Sequence, residues 1–140
     1  MDFSSINWVA VVLCVVASMV IGGIWFSPKM FFPAWWKAIG KTDKDTPGGT
    51  NMGVMWGGTV LASVIQAIFM GLMVNAMGSM TAGGATWSSG AMAGFFLWLG
   101  FVAPSSLTNK LFAERLPAWF YEAGNHLVTF LVMGAIQGAM

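Results

Sequence analysis

Glu122 and His126 are the residues whose types and spacing could do chemistry. They stand four apart, so on a helix their side chains share a face and can touch. A carboxylate beside an imidazole in an apolar layer is the kind of pair that relays protons. At roughly 100° per residue, Thr129, Met133 and Gln137 fall on the same stripe, and Leu127, Leu131, Gly134 and Gly138 fall opposite. His126 lies about 10 Å inward from Trp119 at 1.5 Å per residue. Two readings follow. The stripe is either a polar path for protons, ions or small solutes, or it is helix-to-helix contact. In the second reading Glu122 pairs with Lys110 or Arg115, and His126 bonds a neighbouring helix through Asn109 or Gln66.

Other chemistry-bearing residues are scattered. Asn7 opens the first apolar stretch, Gln66 sits near the middle of the second and Asn75 at its end. Pro104 should kink the third, freeing carbonyls that Ser105 or Ser106 could rebond. Met70, Met73, Met77 and Met80 follow helical spacing, and thioethers bind Cu(I), although methionine is also a flexible packing residue. Cys14 stands alone and reads as a small core residue.

The elements that must position these groups are set by composition. Of 140 residues, 57% are hydrophobic and 8% charged, against a usual quarter charged. So few charges cannot cover a folded chain in water, and an integral membrane protein is the class that fits. Four stretches are long enough to cross a bilayer as helices: about residues 6–26, 51–75, 87–106 and 119–140. Together they make one all-α transmembrane domain over 1–140. The first is not a cleaved signal peptide, since it carries Asp2 in place of a positive start and its apolar run is too long. Met77 to Ser89 reads as the turn between the second and third stretches.

Lys29, Lys37, Lys41 and Lys44 fall in the first loop, Lys110 and Arg115 in the third, and no Lys or Arg falls elsewhere. With four spans these loops share a side. The positive-inside rule makes that side cytoplasmic and puts both termini outside. Within the first loop Phe31, Phe32, Trp35 and Trp36 mix with Lys29 and Lys37, the pattern of a short interfacial helix anchored in the headgroup layer. Pro33-Ala34-Trp35-Trp36 and Pro117-Ala118-Trp119-Phe120 echo each other, which recurring interfacial tryptophan explains without a duplication.

Lipid gives helices no hydrophobic reason to associate, so small residues that allow close backbone contact matter. Gly53/Gly57, Gly90/Gly94 and Gly134/Gly138 have that spacing, and Ser18/Gly22 is similar. These are more such faces than one small bundle needs, so a homo-oligomer or a larger membrane complex is expected.

Several functions drop out. A net charge of +1 without a basic patch leaves no footprint for nucleic acid. One cysteine excludes an internal disulfide and a cysteine zinc site, and one histidine excludes paired-histidine haem. No phosphate loop and no Gly-x-Ser-x-Gly elbow is present. No metal or cofactor is expected, and the chain reads as a non-enzyme.

The Ile6-Asn7-Trp8 start, the Ile21-Gly22-Gly23-Ile24-Trp25-Phe26-Ser27-Pro28 run, the following Phe31, Phe32 and Trp36, and Gly124-Asn125-His126-Leu127 together resemble domain-of-unknown-function family 1761, small bacterial membrane proteins. The resemblance covers nearly the whole chain, with an aromatic expected where Asn125 stands. It implies four spans in a bacterial inner membrane and gives weight to Asn7, Trp25, Ser27, Pro28 and His126. It implies no activity, cofactor or catalytic residue.

Overall fold

The computed structural model describes residues 2–45 and 51–140; the Pro47–Gly49 part of the polar turn lies outside them. Every regular element among the described residues is helical. A 3-10 turn, Phe3–Ser5, leads into α1 (Trp8–Trp25). A short α2 (Phe32–Ala38) lies in the first loop, followed by α3 (Met52–Ser79), α4 (Trp87–Leu97), α5 (Ala103–Phe112) and α6 (Leu116–Ala139).

Local chemistry explains the boundaries. Asn7 accepts hydrogen bonds from the amides of Val9 and Ala10, both at 3.1 Å, and so caps α1. Asn51 does the same for α3 through Val54. Thr86 and Ser89 form a capping box at the start of α4. Pro33 and Pro117 each sit in the first turn of a helix, where a missing N–H costs nothing, and this accounts for the two similar tetrapeptides. The turn after α3 is shorter than the composition suggested. Helix continues through Ser79, and the chain reverses at Gly83 and Gly84, whose φ values are +88° and +77°.

The third stretch also runs further than expected, to Phe112. Pro104 does not end it. A π turn over Trp98–Val102 joins α4 to α5 immediately before the proline. The proline ring would clash with the carbonyl four residues back, at Gly100, and the wider turn relieves that clash.

Three helices are long and apolar enough to cross a membrane: Trp8–Trp25, Met52–Ser79 and Trp87–Phe112. The helix α6 has 24 residues but is more polar, because it carries Glu122, Asn125, His126 and Gln137. It is also the central helix, packing against α1, α2, α3, α4 and α5. These neighbours bury Thr129 and Gln137, the polar groups of its second half. Met133, Val74 and Cys14 are fully enclosed between α6, α3 and α1.

The tightest seam joins α4 to α6. A Cβ built on Gly90 would overlap the Gly134 carbonyl, one on Gly94 the Phe130 carbonyl, and one on Gly138 the Thr86 carbonyl. Gly90/Gly94 and Gly134/Gly138 therefore face each other within one chain. Gly57 and Gly58 meet nothing, and Gly53 meets only the Asn51 side chain.

Candidate functional site

The first and third loops meet at one end of the bundle, where α6 begins. Three indole N–H groups hold backbone there: Trp25 donates to Tyr121 O at 2.9 Å, Trp98 to Ala123 O at 2.9 Å, and Trp119 to Ala103 O at 3.1 Å. The expected interfacial aromatics pack inward as well. Phe31 lies 4.8 Å from Trp25 and 5.6 Å from Tyr121, while Phe32 stacks on Trp36 at 5.3 Å. Lys29 and Lys37 remain exposed. The Ser27 carbonyl closes the turn after α1 by accepting from Met30 N, and Arg115 lies over Gly40 rather than beside Glu122.

Between these elements is a cleft of about 340 Å³. Its floor is the first half of α6, from Glu122 through Asn125 to His126. Ser106, Asn109 and Lys110 come from α5, and Phe26 and Trp35 close the other wall. Lys110 Nζ lies 3.2 Å from Glu122 Oε2, and the Trp35 indole donates to Glu122 Oε1 at 3.2 Å. Glu122 is thus tied to α5 and α2, and among the described residues it makes no hydrogen bond to His126. Asn109 sits exposed on the cleft wall without bonding His126, and Gln66 lies elsewhere, on α3. Asn125 Oδ1 is buried with no hydrogen-bond partner.

The stripe does not continue as a groove. Thr129 turns its hydroxyl back to Asn125 O at 2.8 Å, and Met133 is 0% exposed. Beyond it Gln137 donates to Ala67 O at 3.0 Å and to Cys14 Sγ at 3.8 Å, a contact between α6, α3 and α1. The five stripe residues therefore divide into an end that lines the open cleft, Glu122 and His126, and a packed end from Thr129 to Gln137.

Asn7 is a cap, and Asn75 ties α3 to Ser5 O at 3.4 Å, so neither reaches the cleft. Met70 is in the core and Met80 is exposed beyond the helix end. Residue spacing alone missed Asn125, Ser106 and Phe26 as cleft lining. Asn125 precedes His126, lies one helical step off the stripe and stands where the family resemblance leads to an aromatic, and these were the signals for it.

A labelling experiment checks this division. In a Cys14→Ser background, His126→Cys should react with a small water-borne thiol reagent in membrane vesicles, and Gln137→Cys should not. Equal labelling at both positions would mean that water passes Met133.

No curated protein and no solved structure matches the chain. The sequence profile of DUF1761, described as a protein of unknown function, matches residues 9–138. That match runs from the first turn of α1 to the last turn of α6, and the chain belongs to the DUF1761 family.

Proposed function

We propose that this protein is a non-enzymatic, four-span bundle of the bacterial inner membrane that assembles with a second copy of itself. In this reading α6 is the fourth span, both termini lie outside, the first and third loops are cytoplasmic, and α2 rests in the inner headgroup layer. The lysine and arginine distribution and the central position of α6 support it.

One observation carries the assembly reading. From Met52 to Ala62 every residue of α3 except Met55 is exposed, so this half-helix buries little against the other described residues. It is uncharged and contains Gly53, Gly57 and Gly58. Each glycine facing lipid forgoes up to about 1 kcal/mol of helix propensity relative to alanine. Close approach of another backbone is what offsets that loss. A second copy brings the same uncharged, glycine-bearing surface and closes the contact by two-fold symmetry.

The test is cross-linking in native membranes. With Cys14 replaced by Ser, Gly57→Cys should form a disulfide-linked dimer on oxidation. By energy transfer between labelled copies, Gly57→Leu should weaken association at least about ten-fold, which is 1.4 kcal/mol. A chain that stays monomeric at every lipid dilution sinks this reading.

A second reading, a small transporter using Glu122 and His126, draws on the open cleft. It requires a route past Met133, and the labelling experiment on Gln137→Cys separates the two.

A further inference from the structure

The cleft at the start of α6 is rich in acceptors. Lys110 and the Trp35 indole both bind Glu122. A carboxylate has about four lone-pair sites, so Glu122 can accept more. Asn125 keeps a buried carbonyl oxygen with no donor at all, a costly state that an incoming donor would relieve. The His126 ring, on the same wall, makes no hydrogen bond among the described residues.

The opposite wall is aromatic. Phe26 and Trp35 stand with ring centroids 5.0 Å apart, and aromatic faces attract cations. At the rim, Lys110 has three donors and spends one on Glu122, leaving others for an anion. A volume of about 340 Å³ is at the small end of ligand sites. The cleft lies level with Trp25, Trp35 and Trp119, and indoles with one polar edge favour headgroup depth.

The geometry points to a primary ammonium joined to a phosphate, the phosphoethanolamine group, as the ligand of this cleft. Its three N–H donors meet Glu122, His126 and, once the amide turns its buried oxygen to the cleft, Asn125. Its positive charge lies against Phe26 and Trp35. Its phosphate lies at Lys110. A trimethylammonium group has no N–H to give and leaves the Asn125 oxygen unpaired, so choline is discriminated against. The group can arrive as the head of a phosphatidylethanolamine lipid or as a soluble phosphoethanolamine. The cleft is complete within one chain, so this inference stands whether or not two copies assemble.

The test uses the full-length purified protein in detergent. Native mass spectrometry compares one-to-one adducts of phosphatidylethanolamine, phosphatidylcholine and phosphatidylglycerol with matched acyl chains. Thermal unfolding is followed with and without soluble phosphoethanolamine. Wild type should retain phosphatidylethanolamine at least about ten-fold over phosphatidylcholine, 1.4 kcal/mol by the affinity relation. Glu122→Gln keeps an acceptor for Trp35 but removes the charge, and should abolish the preference.

Asn125→Leu guards against loss of fold in the first variant. It removes a buried oxygen that bonds nothing, so it should raise the melting temperature while cutting the preference several-fold. A purely structural asparagine would not split the two readouts in this way. Preference for the ethanolamine lipid without a response to soluble phosphoethanolamine assigns the lipid source. Stabilisation by soluble phosphoethanolamine that is lost in Glu122→Gln, without lipid preference, assigns the soluble source. Wild type that retains all three lipids equally with no soluble response overturns the proposal. So does retention led by phosphatidylglycerol, or a preference unchanged in both variants.

Discussion

Gly134→Ala should destabilise the bundle by at least about 3 kcal/mol, while Gly57→Ala, the same change on another helix, leaves folding stability unchanged or raises it. Overpacking a tight contact typically costs about 1–3 kcal/mol, and more when the obstacle cannot move. At Gly134 the obstacle is backbone. The new methyl would overlap Gly90 O and stand 3.2 Å from Gly94 N. No rotamer change relieves that; α4 and α6 must part, and the whole Gly90, Gly94, Gly134 and Gly138 seam loosens with them. At Gly57 no heavy atom lies within 4 Å of the built Cβ. The alanine there gains up to about 1 kcal/mol of helix propensity. Unfolding midpoints in a denaturing-detergent titration, at dilutions where the chain is monomeric, give both numbers. Small effects of the same sign at the two positions would show that α4 and α6 are not interlocked through these glycines.

Met133→Ala should combine a stability loss with a change in water access. Met133 is 0% exposed and packs with Val74, Cys14 and Phe130. Truncating a buried methionine to alanine costs about 2–5 kcal/mol, depending on how far the site collapses. This side chain also separates the open cleft from the Gln137–Ala67 contact, where Cys14 accepts from Gln137 at 3.8 Å. Cys14 is likewise 0% exposed. A water-borne thiol reagent should therefore leave Cys14 untouched in the wild type and modify it in Met133→Ala. The two readouts are independent. A destabilised variant whose Cys14 stays silent means that the cavity collapses dry. A variant with unchanged stability would contradict the core position of Met133.

The helices were legible in the chain itself because they depend on local properties, although α3 and the third stretch run past the ends that composition suggested. Apolar runs, the Asn7 and Asn51 caps, the Thr86/Ser89 box and the first-turn prolines act over a few residues. Charge placement was equally direct, with all six Lys and Arg between residues 29 and 44 or between 110 and 115, although Lys110 falls on the end of α5 and not in a loop. So was the family, through motifs near Trp25 and His126.

Which faces meet could not be read there. The spacing of Gly53/Gly57 is the same as that of Gly90/Gly94, yet only the second pair lies against a backbone in this chain. Spacing says that close approach is possible; the partner is set by the shapes of helices far apart in sequence. The same limit explains the stripe on α6. A wheel places Glu122, His126, Thr129, Met133 and Gln137 together because helix geometry repeats every 3.6 residues. Only the packing of α1, α2, α3 and α5 around it turned Glu122 to Lys110 and Trp35, bound Gln137 to Ala67 O, and sealed Met133 between them. Periodicity is a property of one helix, whereas an open cleft and a closed contact are decided by its neighbours.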